Sequence, residues 1–70
     1  MTPESFTDAR KRLGLTQPQL AEILDVNYRT ISRWETGDVS IPIPVALLIQ
    51  LWVLLPESRR LVGIDAPQED

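Results

Sequence analysis

Seventy residues carrying seven basic and ten acidic side chains, a net charge of −3, allow one small domain, which buries only about 60% of its unfolded surface and is marginally stable alone. With no Cys and no His, disulfides and thiolate metal sites are excluded and the commonest acid–base group and metal ligand is missing, so no metal or cofactor is expected and an enzyme would have to work with carboxylates or serine. No charged, apolar and cleavable leader opens the chain, and the apolar run 45–55 is too short to span a bilayer and contains Gln50, so the expectation is a cytoplasmic protein, neither secreted nor membrane-bound.

Thr2-Pro3-Glu4 is a helix start: Thr2 as cap, Pro3 in the first turn, and an acid where the helix dipole favours one. The first helix should run to about Arg12. Phe6, Ala9, Arg10 and Leu13 share one face, and Arg10 stands out because a charge there needs a partner. Lys11 and Arg12 point outward, as a solvated basic face or as contacts to a phosphate backbone. Gly14 ends the helix in the left-handed region, and Leu13 and Leu15 anchor a core.

Thr16 is a second cap, and Gln19 completes a capping box with Pro18 in the first turn. A helix therefore starts at about Gln17, with N-terminal amides of the kind that bind phosphate readily. Its apolar stripe, Leu20, Ala21, Ile23 and Leu24, stops at Asp25-Val26-Asn27. Asn27 caps the third helix, in which Thr30, Ile31 and Trp34 face inward, Tyr28, Arg29, Ser32 and Arg33 take the other surfaces, and Gly37 supplies the left-handed stop. These two helices are too short to stand alone. Ala21 is small where they approach and Val26 plugs the turn, so they can cross at the roughly 90–120° of a helix-turn-helix. Arg29 and Arg33 stand one turn apart on the same side. Arginine forks onto guanine O6 and N7, so the pair suits reading of neighbouring base pairs, the alternative being that both merely solubilise the surface. Tyr28 suits a thymine methyl or a phosphate, and Asn27 is first a cap and second a DNA contact. Trp34 invites base stacking, but its spacing from Ile31 places it in the core.

The stretch LGLTQPQLAEILDVNYRTISRWETG resembles the helix-turn-helix of the lambda-repressor-like (XRE/Cro) superfamily, with its L-G-x-[ST]-Q-x-x-L-A, a valine in the turn, and I-S-x-[WY]-E-x-G. The likeness runs from about Phe6 to Leu54. It implies an all-α, five-helix DNA-binding domain with the helix-turn-helix at helices 2 and 3, double-stranded DNA as partner, and backbone contacts from Gln17 and Gln19; within that motif the residues themselves suit base contacts from Tyr28, Arg29, Ser32 and Arg33 and backbone contacts from Lys11, Arg12, Thr16, Asn27 and Ser40. By the same likeness Arg10 pairs internally with Glu35, the alternative being a direct phosphate contact, and Gln17 also braces the first residue of the recognition helix. Two departures stand out. Asp25 occupies a left-handed turn position where the family usually has glycine, and the loop DVSIPIP lacks the basic residues the family often carries there, leaving Ser40 and the loop amides. Residues 1–40 hold six acids against five bases, so the electrostatic contribution to DNA affinity should be weak.

Pro42 and Pro44 stiffen that loop, and a fourth helix begins at about Pro44. A wheel centred on Leu48 turns Val45, Leu51, Trp52 and Leu55 to the core and leaves Ala46, Leu47, Ile49, Gln50, Val53 and Leu54 on the other side. A helix apolar all round needs a second buried face. A homodimer supplies one, with Leu61 and Ile64 contributing and Gln50 fixing register through a paired hydrogen bond. Pro56 breaks the helix, residues 57–62 suit a short fifth one, and Gly63 ends it. Residues 1–64 then form the DNA-binding and dimerisation domain and residues 65–70 a polar tail.

The expectation from these features is a dimeric repressor on an inverted-repeat operator with half-sites about 34 Å apart. Small members of the superfamily are often phage, prophage or anti-CRISPR-associated regulators of their own operon, working in a bacterial cell and sometimes with an anti-repressor. The rival is an antitoxin that covers a toxin with its apolar fourth helix while binding DNA through the helix-turn-helix. An enzyme is poorly supported, because the acids scatter along helix ends and loops.

Overall fold

In the computed structural model, which describes residues 1–64, the chain forms α1 (Pro3–Arg12), α2 (Gln17–Leu24), α3 (Tyr28–Thr36) and α4 (Ile43–Leu54), then a 3-10 helix over Pro56–Val62. No strand occurs among the described residues, and the fold is all-α as expected. The tail expected at 65–70 lies outside them.

Local chemistry sets the boundaries of the first three helices. At α1 the Thr2 hydroxyl accepts from the Ser5 amide while the Ser5 hydroxyl accepts from the Thr2 amide, both at 3.0 Å. At α2 Thr16 and Gln19 exchange the same two bonds, at 3.2 and 2.9 Å. At α3 Asn27 Oδ1 accepts from the Arg29 amide at 2.8 Å. Each cap satisfies amides that a helix start leaves without a partner. The chain reverses by one repeated device: a left-handed residue, then an amide that reaches back five residues to a helical carbonyl. Leu15 bonds Arg10, Val26 bonds Ala21, Asp38 bonds Arg33 and Ile64 bonds Arg59. The left-handed residue is glycine at three of these turns and Asp25, at φ 57°, at the fourth. Leu15, Val26 and Ile64 then fold apolar side chains back onto the core, the contact that accompanies such a stop.

The core is Phe6, Ala9, Leu13, Leu20, Ala21, Ile31, Trp34, Ile49, Trp52 and Ile64. α1 is the central strut, packing on α3 and α4, while α2 packs on α3 and the 3-10 helix on α4. Phe6 meets Trp34 edge to face, ring centroids 5.8 Å apart, the arrangement that aromatic quadrupoles favour. Trp34 is core, as its spacing predicts.

α4 is rotated from the orientation expected. Ile49 and Trp52 are buried, with Val45, Leu48 and Val53 packed beside them. That line follows positions i, i+3, i+4, i+7 and i+8. Leu51 and Leu55, expected in the core, are exposed, and Ile49 and Ile64, expected at a protomer contact, are core residues instead. Val53 and Ala46 are half-buried in the monomer. The reason is that every face of this helix is apolar, so its own pattern prefers no rotation; α1 and the folded-back Ile64 select the line that accommodates Trp52.

The end of α4 is capped by side chains from the segment expected as a fifth helix. The Trp52 carbonyl would bond the amide four residues on, which belongs to Pro56 and has no hydrogen. Arg59 Nε donates to that carbonyl instead, at 2.7 Å. Ser58 Oγ donates to the Leu55 carbonyl at 2.6 Å. These bonds hold the 3-10 turn against α4 where the expected fifth helix begins.

Candidate nucleic-acid interface

Ile31 and Trp34 anchor α3 in the core, and helical geometry then dictates the opposite face. Arg29, Arg33 and Thr36 point away from the protein, with Ser32 half-buried and Tyr28 51% exposed on the flank. Arg29 and Arg33 are separated by about 6 Å along the helix axis, four residues at 1.5 Å each, on the scale of two stacked base pairs. Among the described residues neither guanidinium makes an ion pair or a side-chain hydrogen bond. Arg10, Arg12 and Arg59, by contrast, are all engaged within the protein. Thr36 was not among the predicted contacts. Its spacing from Arg29, one full face of two turns on, was the available signal, and its hydroxyl bonds the Arg33 carbonyl at 3.2 Å.

The far end of α3 is held by a charged network. Arg10 Nε and Nη2 fork onto Glu35 at 2.6 and 3.1 Å, and Nη1 donates to the Leu15 carbonyl at 2.9 Å. The same guanidinium thereby joins α1, α3 and the turn before α2. Gln17 Nε2 adds a bond to Glu35 Oε1 at 3.0 Å. Gln17 thus braces the last turn of α3 and not the first residue, as the family likeness implied. A carboxylate has about four acceptor sites and Arg10 fills only part of them, so the nearest amide side chain is drawn to the remainder. Burial by itself pushes the Glu35 pKa up. The hydrogen bonds from Arg10 and Gln17, the Arg10 charge and the Thr7 hydroxyl outweigh burial, and the net effect holds the group below its ordinary value.

The sequence of the helix-turn-helix family matches residues 7–50, from α1 through most of α4. The chain belongs to the lambda-repressor-like (XRE) helix-turn-helix family. It is a DNA-binding transcriptional regulator. Comparison with curated proteins and with solved structures gives no match.

In this helix-turn-helix regulator the residues expected at the DNA backbone are dispersed. Thr16 and Gln19 spend their side chains and amides on each other and Pro18 has no N–H, so in the first turn of α2 the Gln17 amide alone lacks an acceptor among the described residues. Lys11 lies in a groove with Glu4, Thr7, Asp8 and Glu35, where flanking carboxylates offset its charge. Arg12 is on the other side of α1. It pairs with Asp8 at 3.0 Å and lines a groove against Gln50, Val53 and Leu54 of α4, apart from the α3 readers. Ser40 sits on the lip of a cleft shared with Met1, Pro3 and Trp34. No helix among the described residues is long and apolar enough to cross a membrane.

Proposed function

We propose that the protein is a transcriptional repressor that binds, as a homodimer, an inverted-repeat operator in its own promoter, within a bacterial cell and in the manner of small phage, prophage or anti-CRISPR-associated regulators. The observation that carries this reading is the pair of unengaged, outward arginines on a helix whose core side and last turn are both locked. Such a helix is pre-organised: α3 enters the major groove with Arg29 and Arg33 toward guanine edges and Tyr28 and Ser32 beside them, so little ordering is left for binding. Two copies would place two such helices in successive major grooves, with α2 crossing the backbone and the Gln17 amide, Asn27 and Lys11 toward phosphates. Repression then follows from occupancy of the promoter.

Footprinting on the DNA upstream of the gene tests this. Arg29→Ala and Arg33→Ala are expected to lose about 1–3 kcal/mol of discrimination at particular base pairs, whereas Lys11→Ala weakens all sequences alike. Equal losses on random DNA for all three would overturn the assignment. The exposed apolar face of α4 is the one feature that also fits an antitoxin. A purified chain that aggregates until a second protein is supplied would favour that reading over the repressor.

A further inference from the structure

We propose that a second copy of this chain covers α4 along the line Ile43, Leu47, Gln50 and Leu54, with Gln50 on the two-fold axis and its amide bonded to that of the second copy. This rests on the homodimer reading above and narrows its contact from the broad face expected from sequence to the one line that the observed rotation of α4 leaves outward.

With Ile49 and Trp52 turned inward, the outward residues of α4 fall at spacings of four, three and four. That alternation keeps one line of a helix facing another helix. Ile43, Leu47 and Leu54 are 73%, 60% and 76% exposed, so the monomer makes little use of them. Leu51 and Leu61 are 40% and 86% exposed as well, and these side chains together expose on the order of several hundred Å² of apolar surface, the size of patch that on a monomer often marks a binding face and a large part of the roughly 800 Å² that each partner gives a standard interface.

The chemistry of the line selects the occupant. α4 contains no charged side chain, and Gln50 is its single polar one. On α4 itself a charged partner has no opposite charge to engage. Burying Gln50 against a purely apolar surface would leave its amide unpaired, at a cost of about 1–3 kcal/mol. An amide both donates and accepts, so it is complementary to itself, and on a two-fold axis a residue meets its own copy. Beside the line, Asp8 and Arg12 form an exposed ion pair on α1, a polar rim bordering an apolar centre, as interfaces have.

The chain contains no cysteine, so one introduced thiol reports one contact. Gln50→Cys under mild oxidation is expected to convert nearly all of the protein to a disulfide-linked dimer, and Glu22→Cys, exposed on α2, to give almost none. Leu47→Glu and Leu54→Glu alter exposed positions. They should keep the wild-type far-UV circular dichroism while the mass by light scattering falls from twice to once the 7.9 kDa of the chain. A wild-type dimer whose Gln50→Cys form fails to cross-link, or whose Leu47→Glu form stays dimeric, overturns the seam and leaves the homodimer standing. A wild-type chain that is monomeric at submillimolar concentration, alone and with operator DNA, overturns both.

Discussion

Glu35→Ala isolates what the charged network contributes. The Arg10 and Glu35 side chains are 12% and 8% exposed, so removing the carboxylate strands a largely desolvated guanidinium with the Leu15 carbonyl as its remaining partner and leaves the Gln17 amide without an acceptor. Breaking one side of a buried pair costs about 3–5 kcal/mol. This pair touches solvent at its rim, which places the cost near the lower end, about 3 kcal/mol. A chain of 70 residues at about 0.05–0.15 kcal/mol per residue holds only about 4–10 kcal/mol in all. The variant should therefore keep only about 1–7 kcal/mol of stability, a loss of about a third to three quarters of the total. Urea titration followed by Trp34 and Trp52 fluorescence gives the number. The double variant Arg10→Met with Glu35→Leu should regain most of the loss, because an apolar pair of similar size restores packing without a stranded charge. A loss below about 1 kcal/mol for Glu35→Ala, or a double variant no better than the single, would show that the network does not hold α3 as argued.

The same group sets a pH dependence. Glu35 titrates below its ordinary 4.5 in the folded protein, so the unfolded chain takes up its proton first as pH falls. Its contribution to stability is complete above the unfolded value and is lost as pH drops through the depressed folded one. Glu35→Gln should remove that part of the acid limb, giving a flatter decline below about pH 4.5 than the wild type. Equal slopes would mean that other carboxylates set the acid limit.

Three further outcomes follow from the structure. Among the described cations near the helix-turn-helix, Lys11, Arg29 and Arg33 have no ion-pair partner, so even if the two base-reading arginines are counted as phosphate contacts a dimer neutralises about six phosphates and the slope of log K against log salt should not exceed about 5 in magnitude; a slope near ten, measured by fluorescence anisotropy, would contradict this. Asp25→Gly removes a side chain from a left-handed residue and should stabilise by up to about 1 kcal/mol, or about 4–8 °C in Tm, with unchanged or lower Tm as the refuting result. Arg59→Ala deprives the Trp52 carbonyl of its donor and should cost about 1–3 kcal/mol, with a red shift of Trp52 emission as the end of α4 frays; unchanged urea stability would count against the capping role.

The first three helices were legible because each boundary is marked by local chemistry. Thr2, Thr16 and Asn27 have side chains of the length that reaches their own helix amides, and the positive-φ positions fall where the apolar stripes stop. The outward face of α3 was legible for a similar reason: Ile31 and Trp34 are its strong apolar anchors, and the arginines are left opposite them. The Arg10–Glu35 pairing was available only through the family likeness, since nothing local relates residues 25 positions apart. The role of Gln17 followed from the acceptor capacity that Arg10 leaves on Glu35, which a residue-by-residue transfer from relatives does not reveal. Arg59 did have a signal, a proline four residues beyond a helical carbonyl with a long donor side chain just after it, but it is visible only when every backbone group is accounted for.

α4 was a different kind of problem. On a helix with no polar face, turning it about its axis exchanges one apolar line for another of nearly equal transfer free energy, so burial alone cannot distinguish the orientations. The choice rests on shape: Trp52 must fit beside α1, and Ile64 is returned to the core by the turn at Gly63. Once that choice is made the position of Gln50 acquires meaning. In the expected orientation it belonged to a broad second face that included Ile49 and Val53; in the observed one it interrupts a narrow line of highly exposed leucine and isoleucine. In the proposed dimer, an amide at that place disfavours a purely apolar surface and favours a partner that can pair it, as an identical amide does. Under the proposed two-fold contact, the residue that makes α4 least hydrophobic is the one that would give its exposed face selectivity, and it is the position at which that contact is best tested.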